Sequence, residues 1–178
     1  MFLLTVFEVI VGIFLFVTLH ELGHVLMARL LGDHTANFIV LGRRKGEWVL
    51  ATTFTRYAQI EDWGGVAVAL AGPLWTRLLA EMLAVTLLAF DWGGVRPLVL
   101  TVFLMCRTDL WLYTIRNFIT SQLLHQPQPG ADVSDAVRGV SGLTGIRELV
   151  LFLPLLVLVS VDLWLGWPLI WRLLLNTP

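Results

Sequence analysis

Apolar residues run along this chain in long blocks rather than in the short alternations of a soluble domain. Phe2–Leu31, Val66–Phe90, Pro97–Leu124 and Leu149–Leu175 are each long enough to cross a bilayer core as helix, which takes about 20 residues. The second and third are joined by Asp91-Trp-Gly-Gly-Val-Arg96, a turn short enough to make them a tight helical hairpin. The period changes between Gly32 and Gly65. Phe38-Ile-Val-Leu41 and Trp48-Val-Leu-Ala-Thr-Thr-Phe54 read as strands, with Gly42-Arg-Arg-Lys-Gly46 as the turn between them. A β-hairpin over about 38–54 is therefore expected, either lying at or in the membrane surface or packed on the helix ends. The pattern predicts an all-α integral membrane protein: about four transmembrane helices, with a membrane-associated β-hairpin between the first and second, in one polytopic domain over residues 1–178.

Composition agrees. Of the 178 residues 57% are hydrophobic and 14% charged, against roughly 45–50% and about 25% in a soluble domain. The first block lacks a basic leader and a small-x-small cleavage site, so it reads as an uncleaved first transmembrane helix rather than a signal peptide. Trp164, Trp167 and Trp171 suit an interfacial aromatic belt. A net charge of −1 gives no reason to expect nucleic acid as a partner. Basic residues are uneven: Arg43, Arg44, Lys45 and Arg56 in the first loop, Arg96 in the second, Arg138 and Arg147 in the third. The positive-inside rule then places loops 32–65 and 125–148 in the cytoplasm of a multi-pass cell-membrane protein, with Arg172 as the counterweight.

The candidate chemistry interrupts the first block, at His20-Glu-Leu-Gly-His24. Positions four apart share a helix face, so His20 and His24 can present two imidazoles to one zinc ion, with Glu21 beside them to accept a proton. Ionisable groups at membrane depth are costly unless paired or functional. Three of them in five positions point to a metal site. The lone cysteine, Cys106, excludes an intramolecular disulfide and a cysteine-based zinc site, so further ligands must be His, Asp or Glu. Asp109, in the middle of the third block, is one candidate; Asp132, Asp162 and His125 are others. Asp109 also has a structural reading, as a partner for Arg77. Arg77 and Glu81 are spaced to pair on one helix face, and Glu8 is placed to snorkel to the outer surface.

His20-Glu-Leu-Gly-His24 in a first transmembrane helix resembles the site-2 protease family of intramembrane zinc metallopeptidases, and the resemblance covers about the first three blocks. Ala71-Gly-Pro-Leu74 is similar to that family's Ala-Gly-Pro-Leu element, although Trp75-Thr-Arg77 follows where the family has Asn or a small residue. Gly64-Gly65 echoes its glycine pair after the membrane-associated hairpin. Asn117-Phe-Ile-Thr120 stands where the family has Asn-x-x-Pro, and Val133-Ser-Asp-Ala136 resembles its Ser-Asp-Gly variant. The resemblance implies Asp135 as third zinc ligand and Asn117 as a substrate-binding residue, an interhelical hydrogen bond being the alternative for Asn117. The implied activity is hydrolysis of membrane-embedded substrates, transmembrane helices or their stubs, by zinc-activated water with Glu21 as general base. The alternatives are a catalytically degenerate metal-binding scaffold and, further off, a metal transporter, which would want acidic or His residues on several facing helices.

Overall fold

The computed structural model describes residues 2–44, 47–56, 62–126 and 132–175. Helix α1 spans Phe2–Leu30, strands β1 Asn37–Arg44 and β2 Glu47–Phe54, and helix α2 Asp62–Ala89. Helix α3 follows at Arg96–Phe118 and ends in a π turn over Ile119–Leu123; α4 is Asp132–Thr144 and α5 Glu148–Leu175. Among the described residues, four helices are long and apolar enough to cross a membrane: Phe2–Leu30, Trp63–Ala89, Gly93–Leu123 and Glu148–Leu175. The hairpin expected between the first two is present, with Asn37 opposite Phe54, Val40 opposite Ala51 and Arg43 opposite Trp48. Its turn residues Lys45 and Gly46 lie outside the described residues. Helix α4 is an addition to the expected elements, because the stretch 125–148 reads as a loop when only long apolar runs are counted.

Helices α1, α2 and α3 pack together, and small residues set their spacing. A Cβ added at Gly23 of α1 would stand 2.8 Å from the Ala71 carbonyl oxygen of α2, so only glycine permits this approach. Glu8, expected at the outer surface, is buried, as are Gly12 and His20 further along α1. Helix α4 is amphipathic, burying Val133, Ser134, Ala136 and Val137. Helix α5 buries Phe152, Val159, Gly166 and Leu173, a heptad stripe with Ile170 beside it. The rest of its surface is largely apolar and exposed, as a lipid-facing helix requires.

A charged cluster joins α5 to the other helices. Asp162 accepts from Arg77 Nη2 at 2.7 Å, Arg107 Nη2 at 3.1 Å and Trp111 Nε1 at 2.7 Å. Glu81 accepts from both Arg77 and Arg107. Two guanidiniums and two carboxylates cancel, which is the condition for holding charge in a low-dielectric setting. The expected Arg77–Glu81 pair is thus real, but Arg77 does not reach Asp109. It turns instead to Asp162 and leaves Asp109 to a different set of partners.

The hairpin is tied to the end of α1 at its base. The carboxylate of buried Asp33 accepts from the Thr35 hydroxyl at 2.6 Å and from the Arg56 backbone N–H at 2.6 Å, and Arg29 donates to the Ala36 carbonyl at 2.9 Å. The Thr35 hydroxyl first, and then the Arg56 N–H, hold the Asp33 carboxyl below its usual range. Folding lowers this pKa, so its stabilisation is present above the unfolded value, about 3.9, and is lost as pH falls through the folded one. Asp33→Asn should therefore lower the melting temperature at neutral pH, with the gap from wild type narrowing in acid. A gap that stays constant across that range would assign the effect to packing instead of charge.

Candidate metal centre

The two histidines of α1 meet as helical spacing requires, their Nε2 atoms 3.1 Å apart. Each ring is oriented from behind. His24 Nδ1 lies 2.6 Å from the Val68 carbonyl oxygen of α2, and a carbonyl can only accept, so Nδ1 carries the proton. Pro73, which has no N–H, withholds the helical donor from the neighbouring Ala69 carbonyl. His20 Nδ1 donates to Asp109 Oδ2 at 2.8 Å, and the same oxygen accepts from Thr76 Oγ1 at 2.6 Å. Tyr113 stacks on the His20 ring, with centroids 5.2 Å apart and planes 20° from parallel. Both imidazoles are thereby fixed with their Nε2 lone pairs pointing inward.

The third group to arrive there is Asp132, at the start of α4. Its Oδ2 lies 2.9 Å from His20 Nε2 and 3.3 Å from His24 Nε2. His20, His24 and Asp132 form a group able to hold a metal ion. Asp135, the ligand expected from the Val133-Ser-Asp-Ala136 resemblance, does not join it. Its carboxylate accepts from Arg138 Nη1 at 3.0 Å, farther round α4 from the buried stripe than Asp132. Asp109 comes close without entering the group, because His20 presents Nδ1 to it while Nε2 faces the centre. Asp162 belongs to the charged cluster.

Chemistry and space both fit a cation. With both Nδ1 atoms protonated, two imidazole lone pairs and a carboxylate oxygen face one another within 3.3 Å. Such atoms repel unless a positive charge lies between them. Imidazole nitrogen with carboxylate oxygen is a donor set that zinc commonly takes. Gly72 of α2 keeps the space open: a Cβ built there would stand 2.8 Å from His20 Nε2 and nearer still to His24 Nε2.

The other expected site residues are placed as follows. Glu21 follows His20 on α1, and its carboxylate accepts from the Thr53 hydroxyl of β2 at 2.5 Å, so the hairpin reaches the site. Asn117 is fully buried and its Oδ1 accepts from the Ser134 backbone N–H at 2.9 Å. It satisfies a first-turn N–H of α4 and so fixes the helix start that carries Asp132. This is the interhelical hydrogen bond that stood as the alternative to a substrate role. Its backbone carbonyl accepts from Ser121 Oγ at 2.7 Å, at the π turn that ends α3. Asp132, one of the alternative candidates beside Asp109, is thus the third member of the group. Thr76, Thr53, Tyr113 and the Val68 carbonyl carry no such signal in the sequence pattern. Comparison with family models, with curated proteins and with solved structures gives no match to this chain.

Proposed function

We propose that the chain is an intramembrane zinc metallopeptidase of the site-2 protease type, an integral membrane protein that hydrolyses peptide bonds of membrane-embedded segments. The observation that carries this reading is the convergence of His20 Nε2 and His24 Nε2, on a helix able to span the membrane, with Asp132 Oδ2 from α4, Glu21 being next to His20 in sequence. Zinc held by His20, His24 and Asp132 would supply Lewis acidity toward a carbonyl and toward water. Glu21 takes a proton from the attacking water and returns it to the departing amine, so the peptide bond breaks to a carboxylic acid and an amine. Asp109, braced by Thr76, holds the His20 ring in its ligating tautomer and strengthens it as a donor.

A helix hides its backbone carbonyls in its own hydrogen bonds, so a transmembrane substrate must unwind before attack. The hairpin stands beside Glu21 and offers strand edges to which an unwound segment can add. The basic residues of loops 32–65 and 125–148 support a cytoplasmic placement for both.

Glu21→Gln tests the reading, because it keeps the shape of the side chain and removes its basicity. Detergent-purified wild type should contain about one zinc per chain and cleave a reconstituted transmembrane peptide, while the variant should keep its zinc and lose at least about 100-fold in rate. Equal cleavage by both proteins would refute the role of Glu21. A wild type that binds zinc and cleaves nothing would make the chain a metal-binding scaffold.

A further inference from the structure

A cavity of about 140 Å³ adjoins the metal group, lined by Phe16, Val17, His20, Glu21, Leu50, Ala51 and Tyr113. We infer that it is a side-chain subsite, and that it selects peptides with one medium-sized apolar residue, of leucine to phenylalanine size, flanking the bond to be cut. This rests on the peptidase reading above and adds to it the class of residue accepted.

Three features carry it. One wall of the cavity is chemical, with His20 and Glu21, and the other is apolar, with Phe16 and Val17 from α1 and Leu50 and Ala51 from β2. Ala51 lies two residues before Thr53 on the half-buried face of β2, and Thr53 holds the Glu21 carboxylate. A strand rises about 3.3 Å per residue, so Ala51 is about 7 Å along the strand from that contact. A peptide whose carbonyl faces Glu21 must then place a neighbouring side chain in or beside the cavity. The volume narrows the choice: about 140 Å³ is close to the roughly 150 Å³ that holds one benzene ring. Leucine and phenylalanine fit, alanine leaves most of the space empty, and an indole overfills it. Ala51, with only a methyl, is the smallest side chain in the lining.

The test uses an alanine-rich, quenched-fluorescent peptide with one variable residue, Ala, Leu, Phe or Trp, and the full chain in detergent with zinc. Hydrolysis is followed in the wild type and binding of the same peptides in Glu21→Gln, where turnover does not intervene. Leu and Phe peptides should exceed the Ala peptide by about tenfold or more in kcat/KM and in affinity, with Trp falling back. Ala51→Phe fills the cavity and should lower the Phe-to-Ala ratio by at least about tenfold. Val17→Ala enlarges it and should raise the Trp-to-Phe ratio, a gain that misfolding cannot imitate. Equal binding and hydrolysis of all peptides, or ratios that neither variant moves, would overturn the subsite. If the peptides bind in the expected order but no Glu21-dependent hydrolysis occurs, the peptidase reading fails and the pocket stands. If hydrolysis depends on Glu21 but is indifferent to the variable residue, the pocket fails and the peptidase stands.

Discussion

Asp132→Ala should strip the purified protein of zinc, while Asp135→Ala should leave it close to one zinc per chain. The two carboxylates are three residues apart, and the structure gives them opposite tasks. Asp132 Oδ2 faces both imidazoles, and its side chain is 17% exposed. Asp135 pairs with Arg138 at the surface of α4, and its side chain is 37% exposed. Exposed pairs of that kind contribute about 0–1 kcal/mol. Removal of Asp132 takes one of the three donors and leaves the imidazoles to hold the ion alone. Asp109→Ala should fall between the two, with affinity lowered by about 10–100-fold, as for an outer partner that orients a ligand. Zinc measured by elemental analysis, with a chelator titration for affinity, gives the order. Loss with Asp135 and retention with Asp132 would refute the ligand set.

Gly72→Ala should abolish metal binding while leaving the helices in place. In an open helix, alanine is more favourable than glycine by about 1 kcal/mol. Here the sign reverses, because the new methyl would stand 2.8 Å from His20 Nε2 and closer to His24 Nε2, in the space the donors surround. Neither ring can swing away cheaply. His20 is held by Asp109 and stacked on Tyr113, and His24 is held by the Val68 carbonyl. Overpacking of this kind costs about 1–3 kcal/mol, enough to lower the melting temperature without unfolding the chain. Zinc content and circular dichroism on one preparation separate the outcomes. Full zinc occupancy in the variant would mean that the donors converge elsewhere than in front of Gly72.

The spans and hairpin were legible because long apolar runs and strand-turn-strand composition are strong local signals. Their boundaries moved by a few residues at most. The histidine pair was legible for the same reason, since one helix turn brings both rings together. The third ligand was not, because it depends on which face of a later helix meets α1. A resemblance in residue order pointed to Asp135, and the geometry of α4 points to Asp132. Val133, Ala136, Val137 and Val140 form an apolar stripe, and at about 100° per residue Asp132 falls about 90° from its centre and Asp135 about 150°. By that arithmetic a helix over this segment favours Asp132. The role of Asp109 was less accessible. A carboxylate in mid-span needs a partner, but nothing local says that the partner is an imidazole of α1 rather than a guanidinium of α2.

His20 and Asp132 are separated by 112 residues of chain, with two long helices between them. A chain still emerging from the ribosome therefore carries both histidines long before the residue that completes them exists. The braces come late as well, Val68 and Thr76 with the second helix and Asp109 with the third. On the peptidase reading proposed above, this order of synthesis would be protective. The site would then be incomplete while its own helices, and those of neighbouring nascent chains, are entering the bilayer and would be most open to cleavage.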